Sequence, residues 1–211
     1  AERWDDRTLY TLERDAFGFC LTGDMFDSYR VEARNFSIPF KDVRDSREQQ
    51  TIAGIVQSVR TIAGKRGTFA VVALSDGQTT MDVLVFAKAY ENYKNMLKPD
   101  EMLIFTGRGR KDERSGGMSF VCDKVITIEE MRVQKGATLM IEIAEGQDLG
   151  TIRDVLQTGL GNNLRGVPCE VSIRSNGVKA EVFLKSNYAP TDKLLNQLKN
   201  SESISLARFM Y

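Results

Sequence analysis

The chain has 211 residues, with 29 lysines and arginines against 29 aspartates and glutamates and no histidine. That balance excludes a global field that would draw the molecule onto nucleic acid or an acidic membrane, and leaves such contacts to local clusters. The missing histidine removes the commonest general base, the Ser-His and Cys-His nucleophile pairs and the commonest metal ligand; the length suits two small domains plus an extension, each with its own core.

Residues 1–46 read as a helical lead-in, because Leu9, Leu12, Ala16 and Phe17 follow a 3.6-residue period that Gly18 and Gly23 break. The chain opens at Ala1 inside a charged, helix-like stretch, as a piece cut from a longer protein would. Asp24-Met25-Phe26 is reminiscent of short acidic-Met-Phe peptides that dock in hydrophobic clefts. The stronger reading is a local core, since Met25 and Phe26 sit beside Phe17, Phe19 and Tyr29.

Residues 47–128 carry five strand patterns. The first, 51–60, is long, and its Gly54 permits a bend that lets one strand serve both sides of a barrel. A tight basic turn, Gly64-Lys65-Arg66-Gly67, leads to a strand over 68–74; Ser75-Asp76-Gly77 then turns the chain into a third strand over 81–86. Tyr90, Tyr93, Met96 and Leu97 recur at helical spacing within 87–97, and Pro99-Asp100 ends that helix. Strands over 102–110 and 118–128 flank a charged loop, 111–117. Five strands with a short helix between the third and fourth point to a closed barrel of the OB type. Such folds bind oligonucleotides or oligosaccharides on strands two and three, beneath the loops joining strands one to two and four to five.

Those two loops hold the basic residues: Lys65 and Arg66 on one, Arg108, Arg110, Lys111 and Arg114 around the other. Alternation puts Phe69, Val71, Ala73, Leu84 and Phe86 on one side, opposite Val72, Leu74, Val83 and Val85, so that Phe69 and Phe86 alone could stack on bases. The competing reading covers this second apolar face with protein, makes Phe86 core and leaves the loop cations merely solvated.

Residues 129–136, polar except for Met131 and Val133, read as a connector. Beyond it come a strand over 138–143, a helix capped by Asp148 with Leu149, Ile152, Val155, Leu156 and Leu160 on one stripe, and strands over 168–174 and 178–185 joined by Ser175-Asn176-Gly177. A helix from Pro190 carries Leu194, Leu195 and Leu198 inward, and 203–209 forms a last strand. The expected fold class is therefore mixed α and β, multidomain, ending in a small α+β domain over 137–211. Its βαββαβ order fits a split β-α-β sheet with both helices on one face. Leu206, Phe209, Met210 and Tyr211 extend beyond an already complete apolar inventory and read as a partner-binding surface; the equal alternative is that Leu206 and Phe209 complete the sheet and the last two residues fray.

No apolar run approaches the roughly 20 residues needed to span a bilayer, and no signal-peptide pattern opens the chain, so a soluble, cytoplasmic protein without a membrane partner is expected. Cys20, Cys122 and Cys169 lie far apart without CxxC spacing, which argues for reduced, buried thiols rather than disulfides or zinc. The sequence has no Walker loop and no GxGxxG after a strand. Gly107-Arg108-Gly109-Arg110-Lys111 lies at a strand end with no following helix to supply a dipole. The carboxylates are scattered rather than grouped for two-metal chemistry. No catalytic residue, metal or cofactor is expected of this chain alone.

Several segments carry a family resemblance. Phe17-Gly18-Phe19-Cys20-Leu21-Thr22-Gly23, Thr51-Ile52-Ala53-Gly54-Ile55-Val56, Lys65-Arg66-Gly67, Val83-Leu84-Val85-Phe86 and Ser115-Gly116-Gly117 resemble, in order, the carboxy-terminal third of the bacterial replicative DNA polymerase III alpha subunit. Ala189-Pro190-Thr191-Asp192-Lys193-Leu194-Leu195-Asn196-Gln197-Leu198 resembles the last helix of the domain through which that subunit binds the clamp-loader tau subunit. The resemblance implies a non-catalytic part of a DNA-directed DNA polymerase, a nucleotidyltransferase whose active site lies elsewhere in the polypeptide. It implies single-stranded template DNA on the barrel, tau on the last domain and a sliding clamp bound through motifs outside this chain. Relatives have a His-Pro-containing segment where this chain has Asp24-Met25-Phe26, so clamp binding is not transferred to that tripeptide. The alternatives are a purely structural assembly scaffold without DNA contact and, third, an RNA-directed OB module, against which the family-like sequence outside the barrel argues.

Overall fold

The structure, a computed structural model, describes Tyr10, Leu12, Glu13, Ala16 and residues 23–65, 67–111, 116–144, 150–160, 166–175 and 178–211. The chain divides into two compact units, Ala1–Ile128 and Glu129–Tyr211.

In the first unit Tyr10, Leu12, Glu13 and Ala16 are helical, and helix α1 spans Asp27–Ala33. Asp24 starts α1: its carboxylate accepts the Phe26 N–H at 2.7 Å and its carbonyl accepts the Asp27 N–H at 2.9 Å. Met25 and Phe26 are buried, so the local-core reading of this tripeptide holds. Leu9, Phe17 and Phe19 lie outside the described residues.

The five expected strands are present as β1 (Gln50–Gly64), β2 (Gly67–Ser75), β3 (Thr80–Val85), β4 (Met102–Lys111) and β5 (Met118–Thr127), with helix α2 (Ala87–Tyr93) between β3 and β4. They close into a barrel in the order β1-β2-β3-β5-β4. Every pairing is antiparallel except β3 with β5, which is parallel and aligns Val83 with Phe120. One strand serves both halves, because Ile55 pairs with Met102 of β4 and also with Ser75 of β2. The neighbouring Gly54 makes this possible: a Cβ there would lie 2.6 Å from the Ser75 carbonyl oxygen and 2.8 Å from Leu74 Cγ.

Inward alternation fills the barrel with Ile52, Val56, Val72, Leu74, Val83, Val85, Phe105 and Phe120, all fully buried. Each such side chain stabilises the fold by about 1.5–3 kcal/mol relative to exposure. Leu97, beyond the end of α2, and Phe40, in a 3-10 turn over Phe40–Asp42, complete this cluster. Asp76 holds that turn against the β2–β3 loop. Its carboxylate accepts the N–H groups of Phe40 at 3.2 Å, Gln78 at 3.0 Å and Thr79 at 2.8 Å.

Most of the stretch read as a connector, 129–136, is helical: helix α3 spans Ile128–Gln134 and buries Met131 and Arg132. Then follow β6 (Thr138–Ile143), α4 (Gly150–Thr158), β7 (Cys169–Ser175), β8 (Val178–Phe183), α5 (Asp192–Lys199) and β9 (Ile204–Met210), the expected βαββαβ order. Thr191 caps α5, its hydroxyl accepting the Leu194 N–H at 3.3 Å. Asp148, Leu149, Asn176 and Gly177 lie outside the described residues. Leu160 follows the end of α4 and is exposed instead of joining its apolar stripe.

The sheet order is β8-β7-β6-β9, with β6 and β7 adjacent and parallel, so the β-α-β unit is direct and not split. The reason lies in β8. A strand inserted between β6 and β7 would have to bury its side chains, and all six residues of β8 are exposed; it folds back onto the outer edge of β7 instead. Both helices pack on one sheet face, where Ile152 and Leu156 of α4 and Leu194, Leu195 and Leu198 of α5 join Leu139, Ile141, Cys169, Val171 and Phe209.

Candidate nucleic-acid interface

The register of the barrel sets what its outer surface presents. Arg60, Val71, Leu84, Val121 and Arg108 pair in succession across β1, β2, β3, β5 and β4, so one outward row has an apolar middle and an arginine at each end. Four interstrand spacings separate those arginines by roughly 19 Å along the curved surface. The next row is Ser58, Ala73, Asp82, Ser119 and Arg110, in which Asp82 offsets part of the positive charge. Lys111 alternates to the other side of β4, and its N–H reaches the Asp45 carboxylate at 3.4 Å. By the two-residue period of a strand it is not on the same face as Arg108 and Arg110, although all three stand beside the β4–β5 connection.

At the opposite end of β3, Gly64 pairs with Gly67 where β1 meets β2, and Lys65 is exposed beside that pair. Gly67 has φ +108°, a conformation that suits glycine. Gly64, Lys65, Gly67, Phe69, Phe86, Ala87 and Lys88 line an open cleft of about 570 Å³. The Phe69 and Phe86 rings lie 5.8 Å apart, tilted by 41°, and Phe86 is 45 % exposed. Phe86 is thus on the surface and not in the core. The cleft joins two aromatic faces to two ammonium groups, the combination that recognises a base and its phosphates.

The sequence reading named Lys65, Phe69, Phe86, Arg108 and Arg110 as candidates; Lys88, which lines the cleft, and Arg60, at the end of the outward row, were not among them. The available signals were local: Lys88 stands two residues after Phe86 in the first turn of α2, and Arg60 lies one alternation before Ile62, which pairs with Phe69. Arg66 and Arg114 lie outside the described residues.

In the second unit, Phe209 is 8 % exposed and joins the core, which corrects its assignment to a docking surface: β9 alternates, and Phe209 and Ala207 face the helices. Leu206 is half-buried, and Met210 and Tyr211 are exposed.

Cys122 and Cys169 are buried free thiols. Burial, with Asp123 beside the first and Glu170 beside the second, pushes both pKa values up to about 12, so neither is a nucleophile at neutral pH. Among the described residues no three His, Cys, Asp or Glu side chains gather as a metal site, and no helix is long and apolar enough to cross a membrane.

Barrel order and parallel closure define a fold of the OB type, and residues 50–133 match the tRNA anti-codon family model, described as an OB-fold nucleic acid binding domain. Beyond the barrel, the chain is similar to proteins named DNA polymerase III subunit alpha. That of Neisseria meningitidis serogroup B is 26% identical over 203 residues, covering 94% of this chain and 18% of the relative. The Escherichia coli protein is 26% identical over 214 residues, covering 96% of this chain and again 18% of the relative. The chain therefore spans less than a fifth of the length of these relatives. Among solved structures, that of RecG bound to a three-way DNA junction aligns with a TM-score of 0.35 and 21% identity, over 41% of this chain and 12% of that one.

Proposed function

We propose that this chain is a non-catalytic part of a bacterial replicative DNA polymerase, working on chromosomal DNA in the cytoplasm, and that its barrel holds single-stranded template. The observation that carries this reading is the cleft in which Phe69 and Phe86 stand between Lys65 and Lys88. Bases stack on the rings and phosphates meet the lysines; Arg108 and Arg110, beside the start of β3, extend the backbone path. The second unit docks the clamp-loader tau subunit through Leu206, Met210 and Tyr211. The sliding clamp is engaged by motifs outside this chain, and nucleotidyl transfer belongs to the rest of the polymerase.

Titrating a labelled single-stranded oligonucleotide at several salt concentrations, beside duplex DNA and RNA, tests the barrel's role. The single strand should bind best. Replacing Lys65 and Lys88 together with Ala should weaken binding and flatten the salt slope by about 1.4, since each single-strand phosphate contact contributes about 0.7. Unchanged affinity and slope would leave the scaffold reading in its place. For the second unit, deleting Met210 and Tyr211 should weaken capture of tau; full retention would exclude those residues from docking.

A further inference from the structure

Helices α4 and α5 cover one face of the β8-β7-β6-β9 sheet, and the other face gathers polar groups that lack partners. The register orders that second face in rows. Glu181, Ser172, Glu142 and Leu206 form one row across β8, β7, β6 and β9, and Phe183, Glu170, Met140 and Arg208 form the next. Ser172 stands at the centre. It is 3% exposed, and its hydroxyl has no hydrogen-bond partner among the described residues. A buried hydroxyl in that state costs stability unless a ligand completes it.

The charges around Ser172 define what could do so. Glu181 is engaged by Lys179 of its own strand at 2.6 Å. The side chains of Glu142 and Glu170, both half-buried, have no hydrogen bond or ion pair among the described residues. These two acids lie diagonally on neighbouring parallel strands, about 8 Å apart at Cα, with Ser172 next to both. Arg208, exposed beyond Met140, pairs with neither. Two free carboxylates around an unpaired hydroxyl suit a cationic hydrogen-bond donor. The described carboxylates do not gather closely enough to hold a metal ion. A guanidinium fits better than an ammonium, because its planar fork of five N–H donors spans separated carboxylates and still reaches a hydroxyl between them, whereas an ammonium is a compact point charge.

The flanking residues are apolar. Met140 and Leu206 are half-buried on one side of the acids, and Phe183 is 69% exposed on the other. Leu206 and Phe183 belong to the two outer strands, three interstrand spacings or about 14 Å apart, and four residues of extended chain cover about 13.5 Å. Alternate residues of such a chain face the same way. We infer, on the reading that this unit docks a partner protein, that the partner crosses this sheet face as an extended segment of pattern apolar-x-Arg-x-apolar. Glu142 and Glu170 hold the arginine, which donates to Ser172 Oγ, while its apolar neighbours lie on Leu206 with Met140 and on Phe183. Met210 pairs with Thr138 one row further along the same face and extends the surface.

Amide-shift titration of the whole chain with the blocked peptide Leu-Ser-Arg-Ser-Leu, beside the same peptide with citrulline for arginine, tests the site without the natural partner. Shifts should centre on Glu142, Glu170 and Ser172, and citrulline should weaken binding by roughly tenfold or more, since it keeps the shape and loses the charge. The double variant Glu142→Gln/Glu170→Gln should lose a similar factor, and Asp154→Asn/Glu202→Gln, which removes two exposed acids elsewhere on the unit, should lose none. Ser172→Ala should weaken the peptide roughly threefold without lowering the melting temperature; a lower melting temperature with unchanged affinity would overturn the part given to the hydroxyl. Equal affinity for both peptides, equal losses in the two double variants, or shifts centred on α4 and α5 would overturn the site. Capture of tau by each chain separates this from the docking reading itself. Tau held equally by wild type and Glu142→Gln/Glu170→Gln would overturn this face and leave tau docking in place, whereas peptide binding as described with no tau capture by wild type would support the site and remove tau as its occupant.

Discussion

The guanidinium of Arg132 lies 4.2 Å from the centre of the Phe209 ring, stacked on it within the core of the second unit. The same group donates a hydrogen bond to the Pro190 carbonyl at 2.8 Å and pairs with Asp192 at 2.8 Å. One side chain thus joins α3, the start of α5 and β9, and satisfies a charge that would be costly to bury alone. A polar stretch of sequence conceals the residue that fastens three elements together.

Arg132→Ala should destabilise the second unit by about 3–5 kcal/mol, the range for losing one partner of a buried pair. Arg132→Lys should recover only part of this, since an ammonium cannot both stack flat on Phe209 and reach two acceptors in the guanidinium's geometry. Phe209→Ala should cost a similar 3–5 kcal/mol through the cavity it leaves. Denaturant titration of the whole chain, with amide exchange read in β9, measures all three. Near-wild-type protection of β9 in Arg132→Ala would refute the role given to this arginine.

Phe86 is largely on the surface, so its replacement separates binding from folding. Phe86→Ala should leave the melting temperature nearly unchanged and cost about 1–3 kcal/mol of single-strand affinity, the usual worth of one stacked base. Phe86→Trp should retain affinity and Phe86→Leu should not, if the ring face is what the base uses. Equal binding by the Leu and Trp variants would point to simple apolar contact.

Gly54→Val should destabilise the barrel by about 1–3 kcal/mol, because a side chain there meets the Ser75 carbonyl and Leu74 where β1 changes partners. Slowed formation or lost exchange protection of the β1–β2 amides would register it. A barrel as stable as wild type would mean that β1 bends elsewhere.

The buried thiols predict an alkaline limit. Folding raises the pKa of Cys122 and Cys169 from 9.0 to about 12, so the folded chain holds both protons where the unfolded chain loses them. Their stabilising contribution is present below pH 9 and falls as pH rises from 9 toward 12, by up to about 1.4 kcal/mol per pH unit for each thiol. Thermal unfolding followed across that range should show a shallower decline in Cys169→Ala than in wild type. An identical slope would mean that Cys169 ionises without cost in the fold.

The sequence by itself determined what depends on near neighbours. Its two-residue alternation set Val72, Leu74, Val83 and Val85 on one side of the strands and Phe69 and Phe86 on the other, because a strand's facing follows from its own pleat, while the exposure of Phe86 came from the fold. The meeting of β1 and β2 at Gly64 and Gly67 and the βαββαβ order were equally legible, and the OB barrel followed from the sequence of elements. Tertiary structure alone decided which strands became neighbours and which side chains met. Only the sheet order shows that β8 lies outside β7 and not between β6 and β7. Only the register brings Arg60 and Arg108 to the two ends of one row, and only the folded β1–β2 turn brings Lys65 to the cleft that Lys88 lines. Arg132 and Phe209 are 77 positions apart in sequence and in contact in space. Period and propensity act over a few residues, whereas these relationships come from burying one apolar face against another, a free energy shared among distant segments and written in none of them singly.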